Sequence, residues 1–306
     1  MIGDFRLFFV FFVFVVFISI KLFAQDALMD EGKNPDPYVA SGNYLKDGDL
    51  NRPIIIACHG FSASTAEWKE FKTYAEANSN VYVQLVLLGG HGRNLKAFKK
   101  ATWQEWRQPI IDTITYYKAE GYKNIHVIGS SASGPLILSL ASTDVLNSKS
   151  IKSVIFVDPF IIPKPKSFEL IDTPASWFVR NIPVHWGESE DRPKYFYVHY
   201  PIAALKELKK LVDKIRVKLD RKIVLPSWIS VAIFQSENDP VSDSAGANLL
   251  AQQLSPFPDL YMVDSTLHVF TRSIGQEPKL WGPKDVTNQQ WAFDEIIKFC
   301  KGVKNE

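Results

Sequence analysis

Ser130, Ser131 and Ser133 fall within four positions of the stretch VIGSSASGPLILSL, residues 127–140. A serine hydroxyl is a weak nucleophile until a base takes its proton, and a strained strand-to-helix turn is one way to present it to that base. The flanks suit such a turn. Ile125 to Ile128 is short, apolar and partly β-branched, as a buried strand requires, and Pro135 to Leu140 is apolar and helix-compatible. Gly129, Ser131 and Ser133-Gly134 approximate a G-x-S-x-G pattern, with small residues on both sides of Ser131 where larger ones would strike backbone. Ser131 is therefore the expected nucleophile. Ser130 is expected to point back into the protein or toward the adjacent strand, and Ser133 stands where glycine is usual. A serine-rich helix N-cap would explain the same small polar residues without any chemistry.

Acyl transfer also needs a base, an acid to orient it, and donors for the oxyanion. Chain order selects the first two. Of the six histidines (His59, His91, His126, His185, His199 and His268), only His268 lies beyond the acidic strand end ENDP, in a loop after the last strand. Asp239 follows the apolar run Ile229 to Phe234 by a short turn and is the expected acid. Glu237 and Asp243 are its neighbours and Asp264 a more distant rival. Taken alone, Asp239 also reads as an Asx-turn residue before Pro240, and His268 as a surface-loop histidine. The expected oxyanion donors are the backbone N–H groups of Ala132, after the nucleophile, and of Phe61 in HGFSAS. His59 and His91, in Gly-containing turns, read as structural, and His126 as a strand residue. His185 and His199 read as residues that could line a pocket.

These residues need a scaffold that brings strand ends together. PIIIACHG, VYVQLVLL, the Ile125 strand, SVIFVDP, SWISVAIFQ and DLYMVDS read as strands. Between them lie the amphipathic segments TAEWKEFKTYAEA and TWQEWRQPIIDTITYYKAEGY, with WAFDEIIKFC closing the chain. Alternation of this kind predicts an α/β fold with a mostly parallel sheet covered by helices on both faces. From about residue 160 to 225 the alternation breaks. A Pro-, Lys- and aromatic-rich stretch leads into a helix with Leu205, Leu208, Leu211, Val212, Ile215 and Leu219 on one stripe. Such an insertion predicts a small, mainly helical cap over the carboxyl ends of the strands, where ligands bind in these folds.

With 306 residues, 46% of them hydrophobic, and a formal net charge of +2, the chain can bury a sizeable core and offers no basic surface for nucleic acid. Residues 53–306 read as the folded domain and 25–52 as a linker and its start. Residues 1–24 read as a signal peptide or an N-terminal membrane anchor, because Leu7 to Ile20 is almost wholly apolar between Arg6 and Lys21. The domain is then expected to be exported, periplasmic or secreted, or membrane-anchored. Cys58 and Cys300 read as small buried hydrophobes, neither having a second ligand at zinc-like spacing. Nothing in the sequence signals an oligomeric state.

The motifs CHGFSAST, LLGGHG before TWQEW, GYKNIHVIGSSASG, YPIAALKELKKLV, ENDPVS and STLHVF follow one another in this order. In them the chain resembles the serine hydrolases of the α/β-hydrolase fold, and among these the bacterial monoacylglycerol lipase and carboxylesterase group, over roughly residues 53–300. The resemblance implies a helical cap over a pocket for one acyl chain, and no metal or organic cofactor. It also implies Ser131 as nucleophile, Asp239 and His268 as acid and base, and Phe61 and Ala132 as oxyanion donors. The chain departs from the group at Ser133 and in its apolar N-terminal segment. The expected substrate is a short- or medium-chain acyl ester or a monoacylglycerol. Thioester or amide cleavage by the same residues, or a non-catalytic binding protein on the same fold, are the alternatives. An epoxide or haloalkane hydrolase would want aspartate where Ser131 stands.

Overall fold

Six parallel strands form the central sheet in the computed structural model, which describes residues 27–34, 36–46, 48–174, 176, 179–184 and 189–302. In chain order they are β1 (Ile54–Cys58), β2 (Tyr82–Val86), β3 (Ile125–Ser130), β4 (Ile151–Val157), β5 (Ser230–Ser236) and β6 (Asp259–Val263). They lie side by side as β6-β5-β4-β3-β1-β2. The inner strands are nearly continuous apolar runs because both faces of the sheet are covered, which is the signature of a parallel sheet between helical layers.

Within β1, Ile54, Ile56 and Cys58 face one layer, and Ile55 and Ala57 the other. The second layer is closed by helix α1 (Lys69–Asn78) and the C-terminal helix α6 (Pro283–Cys300), whose Phe71 and Phe293 rings meet at 5.2 Å. The first is closed by α2 (Trp103–Ala119), α3 (Ser133–Leu138), α4 (Ile202–Leu219) and α5 (Ser244–Gln253). Helix α2 starts sharply because Thr102 and Glu105 form a reciprocal capping box. Cys58 and Cys300 are free, buried thiols.

Register aligns the carboxyl ends along one edge: Cys58 pairs with Gly129, Ser130 with Val157, Val157 with Phe234, and Ser236 with Val263. The strand order reverses between β1 and β3, so the loops after these two strands diverge to opposite faces and leave a crevice.

Over this edge lies the insertion between β4 and β5. It contains a 3-10 segment (Lys166–Asp172), an antiparallel ribbon pairing Asn181–Pro183 with His199–Pro201, a short helix (Arg192–Tyr195) and α4. All six residues of the α4 stripe are buried. Lys209 of α4 pairs with Asp213 at 2.7 Å and reaches Glu169 and Asp172 of the 3-10 segment at 3.6 and 3.8 Å.

The segment before β1 is packed rather than loose. Gly42 donates to Leu85 O at 3.0 Å, Gln84 Nε2 to Gly42 O at 2.7 Å, and Leu87 N to Ser41 Oγ at 2.9 Å, so this stretch flanks β2 at the sheet edge. The N-terminal apolar run, residues 1–24, lies outside the described residues. Among the described residues no helix is long and apolar enough to cross a membrane.

Candidate active site

Ser131 sits between β3 and α3 with φ at +48°, a left-handed conformation that is strained for a serine. Its backbone is held there from both sides. Its N–H donates to Val157 O at 3.0 Å, and its carbonyl accepts from Gly134 N at 3.0 Å and Phe160 N at 3.1 Å. Small neighbours are required. A Cβ at Gly129 would lie 2.5 Å from Ile137 Cδ1, and one at Gly60 would lie 2.9 Å from Ser131 Cβ. Ser133 fits because its hydroxyl donates to the His59 carbonyl, tying the start of α3 to the loop after β1. Ser130 turns away and donates to Glu67 Oε1.

The Ser131 hydroxyl meets His268 Nε2 at 2.9 Å, and His268 Nδ1 meets Asp239 Oδ2 at 2.7 Å. A carboxylate can only accept, so Nδ1 carries the imidazole proton and Nε2 is left to accept from Ser131. Asp239 is fixed by its other oxygen, which accepts from Val241 N at 2.7 Å and Ser242 N at 3.0 Å. The Asx-turn and acid readings of Asp239 are thus one structure, with a different oxygen serving each. Its rivals are engaged elsewhere or face solvent: Asp243 caps α5 through Ala245 N, Asp264 is exposed and pairs with Lys284, and Glu237 is exposed.

Burial alone would push the His268 imidazole down. The Asp239 carboxylate, by charge and hydrogen bond, and the nearby Asp158 outweigh burial and raise its pKa above the ordinary 6.5, with Arg272 opposing them. Asp158, at the end of β4, is fully buried. Its oxygens accept from Ser236 N at 2.6 Å and Phe270 N at 3.3 Å, so it joins the end of β5 to the His268 loop. Burial first, then the charge of Asp239, raise its pKa. Asp158, Asp239 and His268 offer ligand atoms within 4.8 Å of one another, but hydrogen bonds already hold these atoms and give them no cation-cage geometry.

The other histidines have different surroundings. His59 accepts from Leu88 N at 3.1 Å and contacts Gly60 O at 2.8 Å, while His91 contacts Gly89 O at 3.1 Å and the Ser62 N–H at 3.4 Å. His126 lies between Ser153 Oγ and Asn124 Oδ1 at 2.7 and 3.0 Å. Burial lowers the His59 pKa to about 4 and that of His126 to about 3. His199 pairs with Asp30 rather than lining the pocket, and His185 lies outside the described residues.

A cavity of about 440 Å³ opens onto Ser131 and His268. One part of its wall is apolar, with Phe160, Phe168, Ile171, Leu205, Leu208 and Val241. Phe61 and Gly60 border it beside the nucleophile. Among the described residues, the amides of Phe61 and Ala132 donate to no protein acceptor, so both N–H groups remain for a ligand oxygen.

No protein-family model matches the chain. A carboxylesterase of Bacillus subtilis (strain 168) is 26% identical over 216 residues, covering 69% of this chain and 80% of that protein. Among solved structures, a metagenome-derived lipolytic enzyme superposes with a TM-score of 0.67 at 15% identity, over 87% of this chain and 98% of its own. The monoglyceride lipase of Saccharomyces cerevisiae gives 0.62 at 12% identity, over 88% and 96%. That of Paleococcus ferrophilus gives 0.60 at 13%, over 83% and 97%. The chain has the α/β-hydrolase fold of these lipolytic enzymes, and its sequence is similar to that of a carboxylesterase.

Several residues of this site were not visible in the sequence. Glu67 reads as the polar face of an amphipathic segment, yet it is buried. Its Oε1 accepts from Gly60 N at 2.7 Å, and its Oε2 lies 3.3 Å from Arg272 Nε. Arg192 and Arg272 carry no motif, and the fold alone brings them to the cavity. Asp158 did leave a signal, since SVIFVDP, like the strand before ENDP, is an apolar run that ends in an acid.

Proposed function

We propose that this α/β-hydrolase cleaves carboxylic esters through a Ser131-bound acyl intermediate. One observation carries the reading: an unbroken hydrogen-bonded chain from the Ser131 hydroxyl through His268 to Asp239, opening into a largely apolar cavity. As Ser131 Oγ attacks the ester carbonyl carbon, His268 Nε2 takes its proton, and Asp239 stabilises the resulting imidazolium. The carbonyl oxygen, now an oxyanion, accepts from the Phe61 and Ala132 N–H groups. The tetrahedral species collapses, the C–O bond to the alcohol breaks, and His268 returns the proton to the departing oxygen. Water then attacks the acyl-enzyme with His268 again as base. The acid leaves and Ser131 Oγ is protonated.

The apolar part of the wall suits one acyl chain of short or medium length, or the chain of a monoacylglycerol. The monoglyceride lipase among the structural relatives was solved with a substrate analogue and lends support to the second. The test is a series of 4-nitrophenyl esters from acetate to dodecanoate, with monobutanoylglycerol beside them. Saturable turnover that peaks at an intermediate length and vanishes in Ser131→Ala is expected; turnover that survives in Ser131→Ala would overturn the reading. We further propose that residues 1–24 direct export or tether the domain. Fractionation of cells expressing the full chain tests this, and full-length protein confined to the cytosol would refute it.

A further inference from the structure

The wall of the cavity is not uniformly apolar. Arg192, from the short helix of the cap, and Arg272, from the loop after His268, are both more than nine-tenths buried and line the same cavity as Ser131. Their guanidinium groups lie on the Phe196 ring at 4.7 and 4.6 Å from its centroid. Burying one guanidinium is expensive, and burying two side by side adds their mutual repulsion. The ring quadrupole offsets part of that cost.

Glu67 lies 3.3 Å from Arg272, and Glu70, bonded to Ser273, adds a weaker attraction to Arg272. The described hydrogen bonds of Arg192 run to the Tyr200 hydroxyl at 3.2 Å and the Gly275 carbonyl at 3.5 Å. Among the described residues lining the cavity, apart from His268, Arg192 and Arg272 face one carboxylate, Glu67. Burial lowers the Arg192 pKa to about 10, so it stays cationic at neutral pH.

We propose that the Arg192–Arg272 part of the wall is a subsite for a carboxylate, so that the preferred ester carries an anionic group on one arm and an apolar chain on the other. This deepens the ester-hydrolase reading and rests on it. The planar fork of a guanidinium matches a carboxylate with two parallel N–H···O bonds, a match an amide of the same shape cannot make. The apolar wall formed by Phe160, Phe168, Leu205 and Leu208 takes the other arm, leaving the ester carbonyl between them at Ser131. Arg192 also ties the cap to the Gly275 carbonyl, and Arg272 braces its own loop through the Ile274 carbonyl. A purely structural role would therefore affect charged and neutral esters alike.

The test uses the full chain and two isosteric pairs that differ only in charge: monoethyl succinate against ethyl succinamate, and butanoyloxyacetate against butanoyloxyacetamide. In at least one pair the carboxylate should show a kcat/KM on the order of tenfold higher, weakening as salt is raised. The ratio should fall to about one in Arg192→Gln and Arg272→Gln, whatever those changes do to the neutral ester. Equal rates within both pairs, or a preference that survives both substitutions, would overturn the proposal. Should the variants fail to fold, wild-type inhibition decides: succinate should compete with 4-nitrophenyl butanoate at lower concentration than succinamide, and equal inhibition counts against the subsite. Absence of turnover of every ester would remove the esterase reading itself, and this inference with it. Turnover without charge preference removes the inference alone.

Discussion

The loop after β1 and the loop after β6 each place a histidine at the same edge of the sheet, His59 fully buried and His268 open to the cavity, and the two are held in opposite states. His59 meets backbone groups and another histidine, and burial holds its pKa at about 4. His268 meets Asp239 and Asp158, and these carboxylates lift its pKa above the ordinary value despite burial. Burial therefore does not make a histidine inert. What makes it a base that can hold a proton during turnover is the carboxylate behind it. In the proposed mechanism the first loop contributes rigid backbone, namely the Phe61 N–H and the close approach of Gly60 to Ser131, and the second contributes the group that moves protons.

The largest losses are expected at the second loop. Ser131→Ala and His268→Ala should each lower kcat by about 10⁴ or more with the fold intact by circular dichroism. Asp239→Asn keeps the shape but loses the charge and the tautomer, and should cost on the order of 10³ in kcat, with the acid limb of kcat/KM displaced to lower pH. At the first loop, Gly60→Ala would push a Cβ to 2.9 Å from Ser131 Cβ. A loss of about 10² in kcat with little change in KM is expected, since the damage falls on the oxyanion donors. An unaltered kcat would show that this loop is not part of the machinery.

Stability should separate the two histidines by sign. The folded-state pKa values of His59 and His126 lie below the unfolded 6.5, so the unfolded chain takes up more protons as pH falls. Their contribution is complete above pH 6.5 and is lost progressively toward pH 4 and pH 3. His268 has the opposite sign, its contribution being present below pH 6.5 and lost as pH rises through its raised folded pKa. Melting temperatures of Ser131→Ala should therefore fall between pH 6.5 and 4, less steeply in Ser131→Ala combined with His126→Asn. Parallel curves would contradict the assignment. The smallest effect is expected for Asp158→Asn. Removing a charge that helps to raise the His268 pKa should move the acid limb of kcat/KM down by a few tenths of a pH unit.

What was legible in the sequence follows from locality. Gly129, Ser131 and Pro135 announce a strand-turn-helix on their own, and Asp239 and His268 follow in an order that few other arrangements share. The buried strands were visible as β-branched runs because both faces are covered. Glu67, Arg192 and Arg272 were not visible, since each is defined by partners far along the chain: Glu67 by Ser130 and Arg272, and Arg192 by Gly275. In the sequence Ser133 is a departure from the usual glycine, and its compensating acceptor, the His59 carbonyl, comes from another loop. The stretch before β1 read as a linker from its Gly, Asn and Pro content. Its backbone nevertheless hydrogen-bonds to the sheet edge through Gly42, a contact that composition does not encode.

In the proposed mechanism Ser131, and neither Ser130 nor Ser133, is the activated nucleophile. Treating the folded protein with a fluorophosphonate and mapping the adduct by mass spectrometry tests this most directly. A single adduct on Ser131 is expected, formed faster as pH rises through the His268 pKa and absent in His268→Ala. An adduct on Ser130 or Ser133, or none on folded protein, would contradict it.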